Sequence, residues 1–175
     1  AAEAYERYAP LSGWDEERWW ALVYAAIAYR SLGELDTAIE RDLRAVQLLP
    51  QLVDAYFGLG ESYCRKGNWE QSIRWGELGI ERLRMQDQGS SQPAIPSNLV
   101  WFNANAYSFQ PYTWLAVAYN NSGNSEMALS CYKQAYQTRP EPDIKQNIDL
   151  LEAGLAKRRI IHNGIDLAAG LAKLG

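Results

Sequence analysis

Ala55-Tyr56-Phe57-Gly58-Leu59-Gly60-Glu61-Ser62-Tyr63-Cys64-Arg65-Lys66-Gly67-Asn68-Trp69 reads as one helix, a glycine stop and the opening of a second helix. The pattern recurs. Tyr29 and Gly33 stand 34 residues before Tyr63 and Gly67, and a third copy appears as Tyr119 and Gly123. Repeats near this length are stacked supersecondary units, each too small to bury its apolar face without a neighbour. The expected fold is therefore all-α: an alpha-alpha superhelix, a right-handed solenoid, of three helix-turn-helix units at about 19–52, 53–86 and 109–142. Such a chain presents a surface, and no catalytic constellation stands beside it.

The first unit opens with Asp15-Glu16-Glu17, acidic residues that complement the positive end of a helix. Trp19, Leu22, Ala25, Ala26 and Tyr29 follow at three- and four-residue spacings, which puts them on one face. After Gly33 a helix from about Asp36 buries Ala38, Leu43, Ala45 and Leu48 and stops at Pro50, which has no N–H to continue the ladder. The second unit repeats Tyr56, Leu59, Gly60 and Tyr63, with Asn68 suited to cap the helix after Gly67. Its second helix departs from the pattern through Ser72, Gly76 and Gly79. Two interior glycines cost roughly 1 kcal/mol each against alanine, so a backbone or an aromatic ring is expected to lie directly on this stripe, from a packing helix or from the segment that follows. Tyr112, Leu115, Ala116, Tyr119, Gly123, Ala128, Tyr132, Ala135 and Pro140 form the third unit.

Gly67 and Gly123 are 56 residues apart, so 22 extra residues separate the second and third units, and the insertion is placed at 87–108. Loops of this length are uncommon unless functional or disordered. Its second half carries Trp101, Phe102, Asn103 and Tyr107. It either packs on the solenoid or offers aromatic faces and flanking amides that suit a sugar or a peptide. Residues 1–14 read as a linker or a truncated preceding helix. Residues 143–175 read as a capping helix opened by Asp143, with Ile144, Ile148, Leu151 and Leu155 on one face, then Lys157-Arg158-Arg159, Asn163-Gly164 and a short amphipathic tail. The tail is expected to dock on a neighbouring molecule, as in a homodimer, or on a further domain. The chain opens on Ala1 and not on Met, and is expected to be a piece of a longer protein, with any activity in the missing part.

Composition narrows the function classes. A formal net charge of −4 offers no basic stripe for phosphates, so no nucleic-acid partner is expected. Cys64 and Cys131 are the only cysteines, each in a helical pattern, which argues for a reducing, cytoplasmic setting and against a disulfide framework or a CxxC site. Ala21 to Ala28 is the longest apolar run, far short of the ~20 residues that cross a bilayer. His162 is the only histidine, so a histidine metal site or a Ser-His-Asp triad has no second candidate to draw on. No GxxxxGK[ST] occurs, and neither an enzyme activity nor a cofactor is expected.

These units resemble tetratricopeptide repeats, whose signature is an aromatic residue, a Leu-Gly or Leu-Ala pair, a Tyr, a turn Gly, spaced Ala residues and a closing Pro. The resemblance covers residues 19 to about 142. Ser72, Gly76, Gly79, Arg84 in place of proline, and the insertion depart from it, which questions the regularity of the superhelix between units two and three. The resemblance implies that the first helix of each unit faces an inner wall. Val23, Ile27 and Arg30, then Phe57, Glu61 and Cys64, then Thr113, Val117 and Asn120 are expected to line it. Family members that clamp a terminal carboxylate use Lys, Asn and Arg at places that here hold Val23, Ile27, Gly58, Gln110 and Trp114, so that clamp is absent. The wall is left suited to a protein or peptide partner.

A second resemblance concerns context. Trp14-Asp15-Glu16-Glu17-Arg18-Trp19-Trp20-Ala21, the Pro50 to Tyr56 junction and the inserted segment are similar to the repeat region that follows some bacterial family-2 glycosyltransferase domains. That resemblance implies an upstream nucleotide-sugar domain and an accessory role in holding an acceptor, with Trp101 and its neighbours at the glycan.

Overall fold

The computed structural model describes residues 2–8, 13–89 and 109–171, and among them it contains eight helices and no strand. They are α1 (Ala2–Tyr8), α2 (Asp15–Leu32), α3 (Leu35–Leu48), α4 (Asp54–Arg65), α5 (Trp69–Gly89), α6 (Gln110–Asn121), α7 (Ser125–Thr138) and α8 (Pro142–Leu171). Helices α2/α3, α4/α5 and α6/α7 form the three hairpins, each hairpin packs on the next, and α8 packs on α7.

One hydrogen-bond arrangement makes all three hairpin turns. Gly33, Gly67 and Gly123 take φ of 82°, 74° and 89°, the left-handed region that a Cβ disfavours. With the chain so turned, the N–H after each glycine reaches back to the signature tyrosine: Glu34 donates to the Tyr29 carbonyl at 3.0 Å, Asn68 to Tyr63 at 2.9 Å and Asn124 to Tyr119 at 2.9 Å. The recurring Tyr-to-Gly spacing is thus the spacing of a helix C-cap. Asn68 and Asn124 then cap the returning helices, accepting from the Gln71 and Met127 N–H groups at 3.2 and 3.1 Å.

Proline sets helix length. Helices α3 and α7 are 14 residues each and end before Pro50 and Pro140, whereas α5, with Arg84 at the corresponding place, runs on to 21 residues. Helix α8 opens at Pro142, one residue before the expected Asp143, since proline at the first helical position loses no bond. It continues as one helix to Leu171, through Asn163 and Gly164.

Between units two and three the stack is continuous: α6 packs on both α4 and α5. The small-residue stripe explains how. Ser72 Oγ donates to the Gly60 carbonyl at 2.8 Å, and a Cβ on Gly79 would stand 2.5 Å from Phe57 Cε1. A Cβ on Gly76 would stand 2.9 Å from Leu115 Cδ2, so the third unit inserts a leucine where the second offers bare backbone. Val53, Phe57, Ile80, Leu115, Tyr119 and Ile148 belong to the core that runs from here to the cap. Trp19, Val23, Ala45, Leu52 and Ala55 fill the core between the first two units.

Candidate functional site

Helices α2, α4 and α6 lie side by side, and their shared face holds a groove of about 450 Å³. Its lining falls into columns of equivalent residues: Trp20, Asp54 and Gln110; Tyr24, Gly58 and Trp114; Val23 and Phe57; Ile27 and Glu61; Ser31 and Arg65. Trp20 stacks on Tyr24 with ring centroids 5.5 Å apart, and Tyr5 of α1 stacks on the other side of Tyr24 at 5.5 Å. The first helix therefore braces one wall of the groove.

Beneath the groove runs a chain of charged groups. Arg30 Nη1 donates to Asp42 Oδ2 at 2.5 Å, to the Gly58 carbonyl at 3.2 Å and to Ser62 Oγ at 3.2 Å. Its Nε lies 3.7 Å from Glu61. Arg65 in turn donates to the Arg30 carbonyl at 3.3 Å, pairs with Glu61, and lies 5.7 Å from the centre of the Trp114 ring. Asp42 is wholly buried and its Oδ1 has no hydrogen-bond partner. Burial pushes its carboxyl up from 3.8 to about 7, against the pull of Arg30. Both guanidinium groups of the groove are thus spent on the protein itself, which leaves neither aimed at a ligand carboxylate.

Of the residues expected on the wall, Val23, Ile27, Arg30, Phe57 and Glu61 border the groove. Val23 and Phe57 do so as nearly buried core side chains, and Arg30 as the hub of the charge network. Cys64 is a correction: it is buried beneath the wall, with Sγ 3.8 Å from the Trp114 carbonyl. Thr113, Val117 and Asn120 do not line the groove either. Thr113 Oγ1 donates back to the Phe109 carbonyl, Val117 packs against the core, and Asn120 is exposed. The groove takes residues from both positions, Arg30 as well as Ser31 and Arg65, so its lining is wider than the single stripe expected. Trp20, Tyr24, Asp54 and Arg65 lie on the part of that wider face which the single stripe omits. Trp101, Phe102 and Asn103 lie outside the described residues.

Stacked helix pairs closed by left-handed glycines, with a groove along their first helices, define an α-helical repeat solenoid. The chain contains tetratricopeptide repeats: the TPR repeat family matches residues 27–67 and the tetratricopeptide repeat family matches residues 109–142. Solved structures of similar fold include the first TPR of Spaghetti (RPAP3) bound to the HSP90 peptide SRMEEVD, at 14% identity and a TM-score of 0.63, covering 79% of this chain and 93% of that one. MamA is similar at 21% identity and a TM-score of 0.64, covering 90% of this chain and 78% of that one. MamA from Desulfovibrio magneticus RS-1, from position 41 to its end, covers 98% of this chain and is itself covered to 95%, at 14% identity and a TM-score of 0.60. No curated protein matches the chain. Among the described residues no helix is long and apolar enough to cross a membrane.

Proposed function

We propose that the chain is a non-catalytic interaction scaffold whose groove across α2, α4 and α6 holds an extended segment of a protein partner. The observation that carries this reading is the groove itself, an open trough with Trp20, Tyr24, Ile27 and Trp114 on its walls and hydrogen-bonding groups of Ser31, Glu61 and Gln110 beside them. Apolar pockets with a few polar groups suit an extended peptide, whose side chains alternate between the two. That a structure of similar fold is bound to an HSP90 peptide supports the reading. Recognition here differs from capture of an acidic terminus, because Arg30 and Arg65 are held by Asp42, Glu61 and main-chain carbonyls. The alternative, an accessory domain positioning a glycan for a glycosyltransferase, depends on Trp101 and gains no support from the groove.

Selection of displayed random peptides tests the reading. Selected peptides are expected to bind the wild type and an Arg44→Ala control alike, and to lose at least about tenfold, or 1.4 kcal/mol, on Ile27→Asp. A selection whose binders ignore Ile27→Asp would place recognition elsewhere. Calorimetry with a peptide ending in acidic residues is expected to show no binding; micromolar binding lost on amidation of its carboxylate would overturn this part.

A further inference from the structure

Helix α8 uses one face to cap the last repeat, burying Ile144 and Ile148. Among the described residues the opposite face has no partner. Leu150 is 65% exposed and Ile161 52% exposed, and Gly154 and Lys157 fall between them at helical spacing, so the four form one stripe. Among the described residues nothing lies within 4 Å of where a Gly154 Cβ would stand, so none of them accounts for a glycine in a helix interior. Arg158 and Arg159 flank the stripe, and Ile160 beside it is 72% exposed. At the other end of the solenoid the chemistry is the reverse. Trp14 is 71% and Tyr8 49% exposed, next to the acidic run that opens α2. Asp15 there pairs with Arg18, and Glu17 accepts from the Tyr8 hydroxyl at 3.0 Å, which leaves Glu16 as the uncommitted carboxylate.

From these two ends we infer that the chain associates head to tail with copies of itself, the α8 stripe of one copy packing on the Trp14–Glu16 corner of the next. The basic and acidic clusters are complementary in sign, and each adjoins exposed apolar side chains that the next copy would cover. Within one chain α1 packs on α2 and α8 on α7, at opposite ends of the stack. A heterologous contact of this kind adds copies past the dimer, as a closed ring or an open filament according to the rotation between neighbours.

Sedimentation velocity on the full chain, from about 10 to about 200 µM, is the test. The expected result is growth past the dimer with concentration, weakened between about 0.05 and about 0.5 M salt. Lys157→Glu and Glu16→Lys are each expected to weaken association at least about tenfold, and combining them in one chain is expected to restore it. Circular dichroism checks that each variant keeps its helices. A wild type that stays monomeric throughout, or a dimer indifferent to Glu16→Lys, would overturn the inference, as would a double variant no better than the single ones.

Discussion

Gly58 and Asp42 meet so closely that a Cβ on the glycine would stand 2.5 Å from the Asp42 Oδ2 atom and 2.9 Å from Arg30 Nη1. The glycine is what admits a buried ion pair between α2 and α3 beneath the face of α4. Gly60, two residues on in the same helix, finds nothing closer than 3.5 Å. The two positions should therefore part company. Gly58→Ala is expected to destabilise by about 1–3 kcal/mol through overpacking, whereas Gly60→Ala is expected to be neutral or to gain up to about 1 kcal/mol of helix propensity. Gly60→Leu, driven into the Gly76 backbone, should again cost about 1–3 kcal/mol. Urea unfolding followed by circular dichroism separates the three.

The pH dependence of stability should carry the signature of Asp42. Its carboxyl is raised in the folded protein from 3.8 to about 7, so the folded state holds this proton more tightly than the unfolded chain. Its contribution is fully present below the unfolded value and is lost as pH rises through about 7. Asp42→Asn is expected to flatten that fall in the melting curve. Arg30→Met, which removes the group favouring the charged form, should extend the fall to higher pH. A wild-type profile already flat over this window would show Asp42 ionised throughout.

Each left-handed turn should resist a side chain. Gly67→Ala and Gly123→Ala are expected to cost about 1–2 kcal/mol apiece, the strain being in the backbone, since a Cβ at Gly123 meets nothing within 4 Å. Differential scanning calorimetry on the two single variants, with Gly60→Ala alongside, distinguishes turn strain from packing.

The two thiols should be silent in the native protein. Cys64 and Cys131 are both buried, and burial raises both, Cys131 to about 11. Alkylation at neutral pH is expected to be slow for both until denaturant opens the fold, as read by intact-mass spectrometry. Rapid native labelling of Cys64 would mean that α6 does not lie on α4 as described.

Tyr29, Tyr63 and Tyr119 with their glycines were legible in the sequence because a helix C-cap couples residues five apart, a purely local constraint. The hairpins and their order followed. The groove was only half legible: the equivalence of columns between units could be read, but which column faces inward depends on how far each helix is rotated about its axis. Packing sets that rotation, and the approach of α6 to α4 is what buries Cys64 while leaving Arg65 at the groove. The charge network was invisible for another reason. Asp42 and Arg30 look like solvated helix charges until Gly58, 28 residues beyond Arg30, shows where the space for them comes from. The glycine-rich face of α5, by contrast, announced a close approach, and Phe57 and Leu115 supplied it.

Because Leu115 seats itself on Gly76, the seam between α5 and α6 behaves as a subunit interface inside one polypeptide. A chain cut between residues 89 and 109 should reassemble from its two pieces, and a foreign hairpin bearing a leucine at that place could dock in their stead. The molecule is in that sense already a complex, with the covalent bond serving mainly to keep its parts at high local concentration.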